Sequence, residues 1–375
     1  MDFSLTAEQE SFRDDIARFV DDEILPQAAT IDRTDEFPHE LIQSMADQGY
    51  LGMPFPRTDG GLGLDYHAYA EGIAEISRGS GGVGTIIAAH TSLAGTMIYR
   101  FGSTEQRDQY LKPLASGTDI GAFALSEAEA GSDVPAMETR ARRTNDGYRL
   151  SGEKLWTSNG SVADTIVTFA KTSPSAGSKG ISAFILRPHE DEGVSVLRTE
   201  QKMGDRGCPA AALSFSDVSI PQSRRIGEEG VGFKQALSTL NGGRITIAAR
   251  GVGLARAAYQ IFIQSCEESP SQRKQHAIAN ASMKLRTAEL LLHEAAAERE
   301  EQRALIESAA MAKLYASEVS RDVSGTAIDL LGYEGITSQS ALERIYRDAK
   351  LNEIYEGTSE ILRNTIAHQV LERCA

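Results

Sequence analysis

The chain has 375 residues, 41% of them hydrophobic, and a formal net charge of -15 at pH 7. That length exceeds one small domain, so two or three domains with separate cores are expected. The negative charge opposes binding to nucleic-acid phosphates or anionic lipid, and no apolar run approaches the roughly 18 residues of a membrane span. The start Met1-Asp2-Phe3 lacks the basic flank of an export signal, so a cytoplasmic protein without membrane insertion is expected. Three cysteines, Cys208, Cys266 and Cys374, are far apart and outside any CxxC pattern, which predicts neither a disulfide framework nor a metal site.

Thr6-Ala7-Glu8-Gln9 has the form of a capping box, and Phe12, Ile16, Phe19, Val20 and Ile24 then mark one helix face ahead of Pro26. Helical spacing returns at Leu41 to Met45, Tyr66 to Ile76 and Val83 to Tyr99, interrupted by Gly60-Gly61-Leu62-Gly63 and Gly79-Ser80-Gly81-Gly82. Residues 1–119 therefore read as an all-α domain. From residue 120 the period changes. Ile120 to Leu125, Tyr148 to Leu150, Thr165 to Ala170, Ser182 to Leu186, Val194 to Leu197 and Ala211 to Phe215 are short apolar or β-branched runs between turn-forming clusters, as in an antiparallel β-barrel over residues 120–228. Arg140, Arg142 and Arg143 read as the solvated face of one such strand. Residues 229–375 turn helical again, with segments at 233–266, 278–299, 302–331 and 359–373 that predict a C-terminal four-helix bundle. The expected fold class is thus α+β and multidomain.

Near the end stands Tyr355-Glu356-Gly357-Thr358-Ser359-Glu360. Ile361, Leu362, Ile366 and Val370 follow at helical spacing, so the two hydroxyls fall at a helix N-terminus with Glu356 just outside it. Gly357 permits a sharp turn and close approach of another molecule, while Ile354 and Tyr355 are expected to wall the carboxylate. A carboxylate dried in this way has a raised pKa, the direction a general base needs. Acidic residues also gather at helix N-termini for electrostatic reasons alone, so the motif in isolation has a purely structural reading.

Ala349-Lys350 through Ile361, with Glu343-Arg344 and Arg347-Asp348 before it, resembles the C-terminal signature of the acyl-CoA dehydrogenase family. Other blocks of the family recur in order along nearly the whole chain. The resemblance implies a flavoprotein that binds FAD and desaturates an acyl thioester, with Glu356 removing the α-proton. Phe123-Ala124-Leu125-Ser126-Glu127 and Ala130-Gly131-Ser132-Asp133 resemble the flavin-binding strand and its loop. By that resemblance Phe123, Leu125 and Ser126 meet the flavin and Ser132 meets the substrate arm. In Lys154-Leu155-Trp156-Thr157-Ser158-Asn159-Gly160 the resemblance places Trp156 against the flavin and Ser158 near its N5; Thr358 and Glu360 are assigned to the cofactor as well. Leu240-Asn241-Gly242-Gly243-Arg244-Ile245 resembles the segment that meets substrate through Asn241 and Arg244. The implied partners are acyl-CoA or an acyl carrier protein thioester and an electron-transfer flavoprotein or other acceptor, with the chain acting as a homodimer or homotetramer.

Two departures from the family pattern fall on the adenine side of the cofactor. The turn around Glu267-Glu268-Ser269-Pro270 lacks an Arg-x-x-Phe-Gly motif and is shorter by about two helical turns, with Arg273 out of frame. The segment Asp329-Leu330-Leu331-Gly332-Tyr333-Glu334 places acids where the family has neutral residues, and acids are poor neighbours for a pyrophosphate. These departures motivate a competing reading, a flavin-poor homologue serving as a binding or scaffold subunit.

Overall fold

A computed structural model of the chain describes residues 5–303 and 305–374; the Met1-Asp2-Phe3 reading lies outside them. Thr6 caps α1 (Ala7–Phe19) as its sequence predicts: its Oγ1 accepts from the Gln9 amide at 3.3 Å, and Gln9 Oε1 accepts from the Thr6 amide at 2.8 Å. Pro26 does not stop this helix. A π-helical turn at Val20–Ile24 leads into α2 (Leu25–Thr34), and Pro26 falls in the first turn of α2, where a missing N–H costs little. The rest of the N-terminal domain comprises α3 (His39–Asp47), α4 (Tyr66–Gly79), α5 (Gly81–Ile87), a π-helical stretch Ala88–Gly95, α6 (Thr96–Phe101), α7 (Thr104–Gln106) and α8 (Lys112–Ser116).

The middle domain carries β1 (Gly121–Ala124), β2 (Arg140–Arg143), β3 (Gly147–Ser158), β4 (Thr165–Lys171), β5 (Ile181–Leu186), β6 (Val194–Thr199), β7 (Ala210–Pro221) and β8 (Arg225–Ile226). They form one sheet in the order β6-β7-β3-β2-β4-β5-β8, with β1 on β4. The expected antiparallel barrel is corrected in two respects: the sheet is an open path, and β1 and β2 pair β4 in parallel. Parallel pairing of β1 with β4 is possible because β2 and β3 lie between them in the chain, a crossover and not a hairpin. β3 also runs well beyond the short apolar run visible in the sequence: its second half is mostly polar, with Lys154 buried and a bulge after it that breaks the alternation.

The C-terminal domain is built from α9 (Gly232–Gln264), α10 (Gln272–Glu300), α11 (Ile306–Leu331) and α14 (Ser359–Cys374), with α12 (Tyr333–Ile336) and α13 (Ala341–Asn352) between the last two. No helix among the described residues is long and apolar enough to cross a membrane. Two hydrophobic cores ignore the domain divisions. One joins Ile16, Tyr69 and Ile76 of the N-terminal helices to Ile245, Val252 and Ala316 of the bundle, and the other joins Leu93 and Met97 to Phe123, Val167 and Ile185 of the sheet.

Where the three regions meet, Arg250 of α9 is fully buried and ion-pairs with Asp205 from the loop between β6 and β7. Its Nε donates to the Gly81 carbonyl at 3.2 Å, its NH1 to the side chain of Asn352, and its guanidinium lies 5.9 Å from the Tyr355 ring centre. Asp205 Oδ2 accepts from Thr85 at 3.2 Å and from the Tyr355 hydroxyl at 3.1 Å, and Asp348 accepts from the Asp205 amide at 2.7 Å. The glycine break before α5 serves this cluster. A Cβ at Gly81 would stand 2.6 Å from Asp348 Oδ2 and 2.8 Å from Arg250 NH2.

Removing one partner of a buried, hydrogen-bonded ion pair leaves an uncompensated charge, which costs about 3–5 kcal/mol. Asp205→Ala is therefore expected to lower the urea midpoint of the whole chain in a single transition. A midpoint equal to that of the parent would show that the pair does not join the three regions energetically.

Candidate active site

Glu356 sits in the connection between α13 and α14 with φ 52°, and Gly357 follows with φ 102°. Two consecutive left-handed residues turn the Glu356 side chain back toward α9, at a cost that surrounding contacts must offset. Its Oε2 is enclosed and has no hydrogen-bond partner among the described residues. Gly243 of α9 makes room for it: a Cβ there would lie 2.2 Å from Oε2 and 2.9 Å from Leu93 Cδ2. Burial pushes the Glu356 carboxyl up to about 7, against the pull of Lys313 and Arg244, which favour the anion.

Arg244 Nε reaches the Glu356 carbonyl at 3.5 Å, and its NH1 donates to Asn241 Oδ1 at 2.9 Å, so Asn241, Arg244 and Glu356 form one contact chain. Lys313 of α11 is fully buried and donates from Nζ to the Gly357 carbonyl at 2.7 Å. The walls expected of Ile354 and Tyr355 are placed differently. Ile354 is exposed and the Tyr355 hydroxyl turns to Asp205 and Asn352, while the close enclosure of Oε2 comes from Gly243 and Leu93.

A second group lies at the ends of β1 and β3. The Leu155 amide donates to the Ser126 carbonyl at 2.9 Å, which sets Ser126 beside the strand that carries Trp156 and Ser158. The register of β3 on β7 slips between Lys154 and Thr157, and Trp156 within the slip has φ 60°. A bulge of this kind re-aims a side chain, and the indole is left 60% exposed. Beside it Thr157 Oγ1 is buried with no hydrogen-bond partner among the described residues. Phe123 packs edge-on against Phe169, 5.0 Å between centres, so its ring belongs to the core and only its backbone faces this edge. Leu125 is likewise buried.

Lys154 fixes the loop that follows. Its buried Nζ donates to the Leu125 carbonyl at 3.0 Å and to Glu127 at 2.7 Å, and Glu127 accepts from the amides of Glu138 and Thr139. Ser132 rides exposed on the loop so pinned. Thr358 and Glu360 also serve the start of α14: Thr358 Oγ1 accepts from the Ile361 amide at 3.3 Å, and Glu360 is exposed in the first turn, where its own backbone amide and the Thr358 hydroxyl hold its pKa low. The two groups are bridged by the loop between β6 and β7, since Cys208 contacts Asn159 beyond Trp156 and Asp205 contacts Tyr355 before Glu356.

Gly243, Lys313 and Lys154 were not singled out by sequence reasoning. Lys313 carried a signal, because Ala309, Ala312 and Ala316 at helical spacing place it within the buried stripe of α11. A stacking surface, an orphaned hydroxyl beside it and strand-end amides together fit a planar heteroaromatic group with polar edges. Across the bridge, an enclosed carboxylate ready to accept a proton fits acid–base chemistry on carbon.

Sequence profiles described as the N-terminal, middle and C-terminal domains of acyl-CoA dehydrogenase match residues 6–118, 122–218 and 230–371. A relative in Clostridium acetobutylicum named short-chain specific acyl-CoA dehydrogenase is 39% identical, covering 99% of this chain and all of its own length. Among solved structures, a chain in one titled for the electron transferring flavoprotein of Acidaminococcus fermentans superposes with TM-score 0.97 at 37% identity, covering 99% of this chain and 100% of that one. A structure of PigA with FAD and proline superposes with TM-score 0.95 at 28% identity over the full length of both chains.

Gly243→Ala tests the enclosure of Glu356. The added methyl is expected to push the carboxylate away from α9 and return its pKa toward the ordinary carboxylate range of about 4.3. A crystal structure of the variant and a titration of the carboxyl by infrared difference spectroscopy would check this; an unmoved carboxylate with unchanged titration would mean that α9 does not enclose it.

Proposed function

The chain belongs to the acyl-CoA dehydrogenase family, and within it we propose an FAD-dependent oxidoreductase that introduces a double bond between Cα and Cβ of a short-chain acyl thioester. The observation that carries this reading is the Glu356 carboxylate, enclosed without a partner and with its pKa raised to about 7. Glu356 is the base: it accepts the α-proton on a carboxylate oxygen while the broken C–H pair becomes part of the new double bond. Arg244 orders the Glu356 backbone and, with Asn241, meets the substrate arm, for which Ser132 lies on the opposite loop. Because Oε2 accepts no protein donor, no hydrogen bond must break before the proton arrives, which keeps the base preorganised.

FAD is supported by the residues present: Trp156 offers a bare ring face, Leu125 and Ser126 a strand end, and Ser158 with its neighbour Thr157 hydroxyl donors. Bound there, FAD supplies the acceptor for the β-hydrogen and its electron pair. The similarity to a short-chain relative and to a chain from structural work on an electron transferring flavoprotein favours acyl-CoA over a carrier-protein thioester and an electron-transfer flavoprotein as acceptor. A homo-oligomer is the reading for the C-terminal domain, where Tyr333 (80%), Ile336 (61%) and Met283 (66%) are exposed. Sedimentation giving a monomer fully loaded with FAD would sink it.

Glu356→Gln is expected to retain yellow FAD and to bind the thioester while losing the fast anaerobic bleaching of the flavin, since the amide keeps the shape and removes the basic lone pair. A bleaching rate near that of the parent would refute the assignment, and a colourless parent protein that takes up no FAD would favour the scaffold reading.

The adenine side is expected to be held weakly. Asp329 is exposed in the last turn of α11, and α9 gives way to α10 through Ser265 to Ser271 without the family's arginine motif. Loss of one charge-assisted hydrogen bond to a pyrophosphate costs about 1.5–3 kcal/mol, roughly tenfold or more in affinity. FAD should therefore dissociate on dilution and raise Tm with its concentration, and Asp329→Gln should tighten it. Calorimetric titration giving identical affinities for the parent and Asp329→Gln would show that the carboxylate does not face the phosphates.

A further inference from the structure

Lys313 is the buried cation that the reaction as described leaves unused. It lies on α11 with no exposed surface, among the buried residues Ala309, Ala312, Ala316 and Ser317. A buried ammonium is expensive and normally sits against a carboxylate or loses its proton. Here its Nζ donates instead to the carbonyl of Gly357, the peptide that follows Glu356, at 2.7 Å. The preceding carbonyl, that of Glu356, faces Arg244 Nε at 3.5 Å. Two cations from two different helices thus hold the two successive carbonyls of a left-handed turn that has φ 52° at Glu356 and φ 102° at Gly357.

We propose that Lys313 is a positioning residue for the Glu356 base: its hydrogen bond to the Gly357 carbonyl fixes the turn, and its ammonium holds the neighbouring carboxylate in the ionised form. This rests on the reading of Glu356 as the base. The charges around the pair agree with it. Burial brings Lys313 down to about 7; Glu356 is the strongest of the charges opposing that fall, Glu353 and Glu360 add to it, and Arg244 works the other way. On Glu356 the two cations act together, Lys313 ahead of Arg244, against burial. From α4, the buried Tyr69 hydroxyl also lies within the field of the carboxylate. Two groups whose pKa values meet near neutrality titrate as a unit, and the attraction between them favours the state with the proton on Lys313 and the charge on Glu356. Removing the ammonium leaves burial less opposed, so the folded pKa of Glu356 rises further and the base form is lost at a higher pH.

The experiment measures anaerobic flavin bleaching against pH in the holoenzyme for Lys313→Met and Lys313→Gln, with FAD content and Tm recorded for each. The acid limb of the rate profile is expected to move up by about one pH unit in both, which is about fivefold slower at pH 7 with recovery at high pH. Lys313→Gln, which keeps a donor but no charge, should recover more of the high-pH rate than Lys313→Met. Infrared difference spectra of the Glu356 carboxyl, read against Glu356→Gln, should show the same upward shift without reference to turnover. Profiles and carboxyl titrations that superpose on the parent in both variants overturn the proposal. If Glu356→Gln itself bleaches at the parent rate, the reading of the base has failed; if it does not bleach and the lysine variants titrate as the parent does, only the role of Lys313 has failed.

Discussion

The buried pairing of Arg250 with Asp205 is the constraint on which the arrangement rests, because it draws its partners from all three regions of the chain. Arg250 comes from α9, Thr85 and Gly81 from α5, Asp205 from the loop between β6 and β7, and Asn352 and Tyr355 from the stretch that leads into Glu356. Two carboxyls face this one guanidinium, and burial together with the charge of Asp205 pushes Asp348 up to about 7. Like charges in so dry a place cannot both be ionised at little cost, which is why Asp348 is raised. The outcome is a rigid seat for Tyr355, the residue immediately before Glu356.

Around Glu356 the balance runs the other way. Desolvation alone would leave a neutral acid, which cannot take a proton from carbon. Two cations at short range lower the pKa part of the way back, and a carboxylate near neutrality results. The same dryness that weakens the anion also strengthens its attraction to Lys313 and Arg244, since interaction energies grow as the local dielectric falls. Neither force acting alone would give the near-neutral carboxylate that the proposed role of Glu356 requires. The geometry depends equally on an absence of atoms, because the carboxylate occupies the space that a side chain at position 243 would fill.

Much of this was legible in the sequence, for physical reasons that differ by element. Helices with strong amphipathic spacing and a reciprocal cap, such as α1, announce themselves; the tight left-handed turn at Glu356-Gly357 was visible through its glycine. The second half of β3 was not, because a buried lysine at 154 and an outward tryptophan at 156 invert the expected alternation around a bulge. Sheet closure was also out of reach, since short strands of similar length are compatible with an open path or a barrel, and the parallel placement of β1 depends on long-range pairing. Lys313 stands in the alanine stripe of α11, but the carbonyl its buried ammonium meets is set by long-range packing. Thr358 and Glu360 sit in the right motif, but their own helix uses them first, one as a cap and one as a first-turn acid.

The bulge that turns Trp156 outward has an optical consequence. This is the only tryptophan in the chain, so emission excited beyond the tyrosine band originates at the ends of β1 and β3. An indole facing water emits at long wavelength, and one covered by an aromatic ring that absorbs in the near ultraviolet is quenched. The fold has thereby placed its one tryptophan where, with excitation beyond the tyrosine absorption band, changes at the ends of β1 and β3 can be followed in real time without a label.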